Sequence, residues 1–169
     1  MGLNLRFAVV LIFALLAGTG ASLAQSVQVL GDFRDWSAFT ANDGNGPICF
    51  AMSKPKEVNP APDGYTQGYI YLTHRSSEGL RAEFNVIAGY DFAPDTTGFA
   101  KVGSNVYDLF TSGDAAWLAD PSLGEIFARN LRSGTTLYIE GTSALGVLIT
   151  QTFSLSGATA ASRSIDAAC

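Results

Sequence analysis

The segment YIYLTHRSSEGLRAEFNVIA, residues 69–88, decides the fold class of this chain. Its second half alternates between apolar and polar residues, so that Phe84 and Val86 share one face while charged side chains share the other. The first half, residues 69–75, alternates in the same way. Alternation with a period of two predicts antiparallel strands that are buried on one face. Residues 76–79 are turn formers, so the whole segment predicts a β-hairpin.

Strand-like patterns recur along the rest of the chain, joined mostly by connections of two to six residues. Such short connections exclude a parallel α/β fold, which needs a helix between successive strands. Residues 54–64 contain three prolines and predict a surface loop. The further strand-like segments are residues 36–40, 48–53, 99–102, 106–111, 137–141 and 147–155.

Two short helices are predicted among these strands. Residues 122–132 begin with the capping-box spacing Ser122-x-x-Glu125. Residues 159–168 are rich in alanine, with Thr159 as the predicted N-cap. Many hairpins with few helices predict a mainly β fold, an antiparallel β-sandwich or partly closed barrel with one or two short peripheral helices.

The first 24 residues have the pattern of a secretory signal peptide. The N-terminal residues 1–6 contain one positive charge, Arg6, and an apolar run of eleven residues follows them. Small residues then precede the predicted cleavage site after Ala24. The apolar run would span about 16 Å as a helix, roughly half of a bilayer's hydrocarbon core, which disfavours a membrane anchor. Two parts are therefore predicted: a cleaved signal peptide, residues 1–24, and a single β domain, residues 25–169. No later stretch predicts a transmembrane segment, and the predicted location is the periplasm, the outer membrane surface or the medium.

Cleavage makes a direct prediction about the exported protein. Its chain is expected to begin at or near Gln25, because the small residues that signal peptidase needs precede that position. Intact-mass measurement of the envelope fraction checks this, and a full-length mass in that fraction would contradict it.

The composition of residues 25–169 narrows the class of protein. This part contains nine Lys or Arg and fifteen Asp or Glu, a net charge of −6. An acidic chain without a basic stretch argues against a nucleic-acid partner. The full chain is 47% hydrophobic and 15% charged, which excludes a disordered polyelectrolyte.

Cys49 and Cys169 are the two cysteines of the chain. Export places them in an oxidising compartment, where an even number of cysteines predicts a disulfide bond. The alternatives are two free thiols, or a metal site with His74, although the spacing is not that of a zinc site.

Catalytic patterns are sparse, and we predict no catalytic, cofactor-binding or metal-binding residues and no enzymatic activity. His74 lies in a strand on the same face as Ile70 and Leu72, where a structural role is the favoured interpretation. No G-x-S-x-G motif or phosphate-binding loop occurs. The carboxylate pairs all lie among turn-forming residues, which explains them without catalysis. The pairs are Asp32 with Asp35, Asp91 with Asp95, and Asp114 with Asp120.

One face of the predicted hairpin has the composition of a protein-contact surface. Alternation places Tyr69, Tyr71 and Arg75 on this face, together with Arg81 from the second strand. Tyrosine and arginine are enriched at protein interfaces, so these four residues are the predicted partner contacts. The alternative is that a loop or helix covers the rings and buries them.

An ordered set of short motifs resembles the invasion-associated locus B family of exported bacterial proteins. The set ends with the chain's terminal cysteine, and it covers nearly all of residues 25–169. The matching segments are GDFRDW (31–36), CFAMSKPK (49–56), AGYDF (88–92), LF (109–110), GDAAW (113–117), residues 134–141, FSLSG (153–157) and IDAAC (165–169).

This resemblance implies a periplasmic, outer-membrane-associated or secreted protein of a Gram-negative bacterium, in a family whose founding members are linked to entry into erythrocytes. No catalytic residues are carried over, and only Cys49 and Cys169 transfer as individual positions. We therefore expect a non-enzymatic envelope protein that binds or assists an envelope or host protein. The alternatives are a periplasmic carrier of a small ligand or lipid and, less favoured, a hydrolase.

Overall fold

The computed structural model describes residues 27–42 and 44–169, and the predicted signal peptide lies outside the described residues. These residues form eleven strands and two α-helices. The strands are β1 (Gln28–Phe33), β2 (Trp36–Asn42), β3 (Pro47–Ser53), β4 (Glu57–Asn59), β5 (Tyr69–Arg75), β6 (Leu80–Ile87), β7 (Thr97–Val102), β8 (Asn105–Ser112), β9 (Ala115–Leu118), β10 (Thr136–Thr142) and β11 (Leu148–Ser154). The helices are α1 (Gly124–Ser133) and α2 (Ala158–Ala168).

All strand pairs belong to one unclosed antiparallel sheet with the order β1-β2-β3-β5-β6-β9-β8-β7-β10-β11-β4. The sheet curls until its two ends meet. The indole Nε1 of Trp36 in β2 donates to the carbonyl oxygen of Ser154 in β11 at 3.0 Å, and the backbone N–H of Asp35 donates to Ser156 at 3.2 Å. The predicted mainly β, antiparallel fold is confirmed.

The core lies on the concave side of this sheet, where alternate strand residues point inward and most of them are apolar. Both helices pack on the same side: α2 covers β1, β2, β3 and β5, while α1 contacts β6 and α2. The Phe127 ring of α1 fits against Phe84 and Tyr107, with ring centroids 4.4 and 4.9 Å apart. The largest fully buried side chains are Trp36, Phe84, Phe127, Phe153, Ile70, Leu72, Leu109, Leu131, Leu137, Ile139, Ile149 and Ile165.

The hairpin predicted from residues 69–88 is confirmed as β5 and β6. A short 3-10 helix, Ser76–Glu78, and Gly79 in the left-handed conformation (φ +68°) make the turn. A β-bulge follows at once, where Ala82 has φ +56° and its N–H donates to the Nδ1 of His74 instead of to the strand ladder. A bulge places an extra residue in one strand, so the side chains before it no longer follow the alternation.

Several local predictions need correction. The carboxylate of Asp120 accepts the N–H of Ser122 ahead of α1, so Ser122 is not the capping residue, and a 3-10 turn precedes Gly124. Gly157 occupies the N-cap of α2, while the Thr159 hydroxyl donates to the carbonyl oxygen of Arg132. The loop predicted at residues 54–64 contains β4, which pairs with β11. Strands β1 and β9 were also not predicted.

Helices long and apolar enough to cross a bilayer do not occur among residues 27–42 and 44–169.

Candidate functional site

Four aromatic side chains from neighbouring strands form a continuous strip on the convex face of the sheet. We call Phe39, Phe50, Tyr71 and Tyr69 the aromatic strip. Phe39 stacks on Phe50 with ring centroids 5.1 Å apart, Tyr71 lies 6.1 Å from Phe50, and Tyr69 lies 6.1 Å from Tyr71. All four are partly exposed. Their spacing is that of interacting aromatic pairs, so each ring holds its neighbours in place.

Strand register explains why these rings meet. Phe39 in β2 lies directly opposite Phe50 in β3, and Phe50 lies opposite Thr73 in β5, which makes Tyr71 its diagonal neighbour. Diagonal neighbours in a sheet are within reach of aromatic side chains. The intervening residues Ile70 and Leu72 point into the core and are at most 1% exposed. Because both helices pack on the concave side, neither covers the strip.

Charged groups border the aromatic strip. The Lys54 ammonium lies 5.7 Å from the Tyr69 ring centroid, in a cation–π contact. Arg75 forms an ion pair of 3.2 Å with Glu83. Partial burial, with a smaller contribution from Tyr69, raises the pKa of Tyr71, so this phenol stays protonated near neutral pH and can donate a hydrogen bond.

The structure groups three of the four predicted contact residues and separates the fourth. Tyr69, Tyr71 and Arg75 lie together on the convex face. Arg81 does not join them, because the bulge at Ala82 redirects it toward the helices. Its guanidinium donates to Asp166 of α2 at 2.9 Å and lies 3.9 Å from Glu125 of α1. The sequence prediction missed Phe39 and Phe50, although alternation in their strands places both rings outward.

His74 is the buried member of a polar network that reaches the surface through Asp166 and Arg81. Its side chain is 4% exposed. Because Nδ1 accepts the Ala82 N–H at 3.0 Å, the neutral ring carries its proton on Nε2, which donates to Asp166 at 2.9 Å. Asp166 also accepts from Arg81. Both ring nitrogens are therefore used to join β5, β6 and α2, which is the structural role expected for this residue.

The structure joins Cys49 and Cys169 in a disulfide bond with a Cα–Cα distance of 6.0 Å. The bond ties the end of α2 to β3, and the Ser76 hydroxyl donates to the carbonyl oxygen of Cys169 at 2.8 Å. With both sulfurs bonded to each other, neither is available to a metal ion together with His74. Within residues 27–42 and 44–169, three or more His, Cys, Asp or Glu side chains do not come together in a group that could hold a metal ion.

The carrier hypothesis predicts an apolar cavity. A groove of about 250 Å³ lies where β9 ends beside β6. Its lining includes Leu80, Phe84, Trp117 and Pro121. Ligand pockets usually measure roughly 300–1,000 Å³, so this groove is small for a drug-sized or lipid ligand.

No family model matches this chain. No curated protein matches it. In three dimensions the chain is similar to the crystal structure of invasion associated protein B from Bartonella henselae, with a TM-score of 0.58 and 15% sequence identity. The two chains share a fold. The similarity covers 83% of this chain and 97% of the Bartonella protein. At this identity the likeness establishes the fold alone, and that fold agrees with the family resemblance carried by the short motifs.

Proposed function

We propose that this chain is a non-enzymatic, exported protein of the cell envelope that binds another protein through the aromatic strip. The observation that carries the proposal is the strip itself: four partly exposed rings in mutual contact on the face that neither helix covers. Large apolar areas at a surface usually mark an interaction site. Aromatic rings supply that area at a low cost in conformational entropy.

The setting of the strip suits a protein partner. Its rings already restrain one another, so binding would order few additional side chains. Lys54 and the Arg75–Glu83 ion pair provide polar groups at its border, as at the rim of a protein interface. The Tyr71 phenol could donate a hydrogen bond to the partner near the centre of the strip.

The predicted export and the family resemblance support the proposed location in the cell envelope. A disulfide bond suits an oxidising compartment, and the fold is that of a protein named for invasion. Host-cell invasion is one setting in which the proposed binding would act. The partner would then be a host protein instead of an envelope protein.

Replacing both tyrosines of the strip, Tyr69→Ala with Tyr71→Ala, is expected to abolish capture of the partner. The free energy of unfolding should fall by only about 1–2 kcal/mol, because the rings are partly exposed and lose mainly their aromatic contacts. Affinity capture from envelope extracts measures binding, and thermal unfolding measures stability.

The matched control is Phe99→Ala with Tyr138→Ala. These aromatic residues are also exposed, at 36% and 42%, but lie in β7 and β10, away from the strip. The control should retain the partner. If both double variants capture it equally well, or if the strip variant unfolds, the strip is not the contact surface.

A further inference from the structure

The two helices meet along a groove lined by arginine side chains. Arg129 and Arg132 of α1 and Arg163 of α2 line a cavity of about 420 Å³ that opens to the surface. The Thr159 hydroxyl donates to the carbonyl oxygen of Arg132 at 2.9 Å, which fixes the two helices to each other. We call this cavity the arginine groove. It lies on the helical side of the molecule, whereas the aromatic strip lies on the convex face.

Among the described residues, the three arginines of the groove form no ion pair with a carboxylate, a property that they share with Arg34 and Lys54. Four cations elsewhere form ion pairs: Lys56 with Asp35, Arg75 with Glu83, Arg81 with Glu125 and Asp166, and Lys101 with Glu140. Within the described part of the chain, Arg129, Arg132 and Arg163 have no such partner. Three uncompensated guanidinium groups thus surround one groove in a protein whose net charge is negative.

Stabilisation of α1 does not account for them. Cations near the C-terminus of a helix can satisfy its last carbonyl groups. Here two of those groups have other partners, since the carbonyl oxygen of Asn130 accepts the Gly134 N–H and that of Arg132 accepts the Thr159 hydroxyl. Arg129 and Arg163 are exposed, so their guanidinium groups remain available to a ligand.

The carboxylate at the border of the groove is already engaged. Asp166 lines the groove, but its Oδ1 accepts hydrogen bonds from both His74 and Arg81. Arg81 and Glu125 add one charge of each sign nearby. Counting these groups, four guanidinium groups and two carboxylates give the region a charge of +2, opposite in sign to the chain as a whole.

We propose that the arginine groove binds phosphate groups. Guanidinium groups match phosphate oxygens in geometry and can donate two parallel hydrogen bonds to one phosphate. The shared chemistry is a phosphate group, whether it belongs to an anionic lipid headgroup or to a soluble molecule.

Sedimentation with vesicles tests the proposal, with the disulfide-bonded chain of residues 25–169 as the protein. Wild type should bind vesicles that contain phosphatidylglycerol and should not bind vesicles of phosphatidylcholine alone. Arg129→Gln with Arg163→Gln should weaken binding roughly twenty-five-fold, since each cation near an anionic surface contributes about fivefold. The control is Arg34→Gln with Lys101→Gln, which removes the same charge elsewhere and should bind as wild type.

Inorganic phosphate is the second probe. It should displace the protein from the vesicles better than sodium chloride at equal ionic strength, because chloride only screens charge. A further outcome is that inorganic phosphate shifts the side-chain N–H resonances of Arg129 and Arg163 in solution while the vesicles do not bind the protein. That result would identify the ligand of the arginine groove as a soluble phosphate and not as a lipid headgroup. Equal displacement by both salts, equal weakening in the two double variants, or no response to either probe would overturn the proposal.

The unfolding midpoints of the two variants should match, which separates lost binding from lost folding. Because the aromatic strip is intact in both variants, this outcome is independent of the proposed protein partner.

Discussion

Replacing Cys169 with serine is expected to lower the free energy of unfolding by about 2–5 kcal/mol. The disulfide bond joins residues 120 positions apart, and a loop of this length gives roughly 4–5 kcal/mol in the chain-entropy model. Small domains are stable by only about 5–15 kcal/mol in total. Denaturant unfolding of the variant and wild type measures the difference.

The loss should be concentrated in α2. This helix is held at its end by the disulfide bond and by the Ser76 hydroxyl on Cys169, and its Ile165 packs into the core. Without the bond, amide hydrogens of α2 should exchange faster than those of β10 and β11, because local opening no longer needs global unfolding. Hydrogen exchange followed by mass spectrometry resolves the two regions.

Reduction of the wild-type protein supplies the control. A reductant should lower wild-type stability to the level of the Cys169→Ser variant and leave the variant unchanged. Equal stability of oxidised wild type and variant would show that the bond does not hold the native state together.

Much of the β architecture follows from alternation in the sequence. The pattern of residues 69–88 identifies the central hairpin, and the same pattern places Ile70 and Leu72 inward and Tyr69 and Tyr71 outward. Register between strands is harder to predict, because it depends on packing between segments distant in sequence. The contacts of Phe50 with Phe39 and with Tyr71 therefore appear only in three dimensions.

Two failures have local physical causes. Alternation assumes a regular strand, but the bulge at Ala82 turns Arg81 toward Asp166, and the alternating pattern does not reveal that bulge. The segment of β4 is three residues long and lacks a strand pattern. It becomes a strand because the exposed edge of β11 offers unpaired backbone groups to it.

The arginine groove, too, could be predicted only in part from the sequence. The spacing of Arg129 and Arg132 by three residues places them on one side of α1, which sequence reasoning could have identified. Arg163 joins them only because α2 packs beside α1. The N-cap prediction at Thr159 is wrong, because Gly157 is the N-cap of α2 and the Thr159 hydroxyl donates to the carbonyl oxygen of Arg132 in α1.

Like Cys169→Ser, the substitution Gly157→Ala is expected to have a large effect on stability. It should lower the free energy of unfolding by at least about 3 kcal/mol. Gly157 has φ +102°, and a Cβ added there would lie 1.7 Å from the carbonyl oxygen of Phe33. The clash is with backbone, so the end of β1 must move away from α2. That movement would break the Asp35 N–H bond to Ser156 and the Trp36 indole bond to Ser154, which hold the two ends of the curled sheet together.

Gly146→Ala separates this clash from the cost of the backbone conformation. Gly146 also has a positive φ, +77°, but a Cβ there would meet nothing within 4 Å. Its substitution should cost only about 1–2 kcal/mol, the penalty of a left-handed conformation for a residue with a Cβ. Denaturant unfolding of both variants gives the comparison. Equal losses would mean that Gly157 is needed only for its backbone angles and that close contact between β1 and α2 does not stabilise the ends of the sheet.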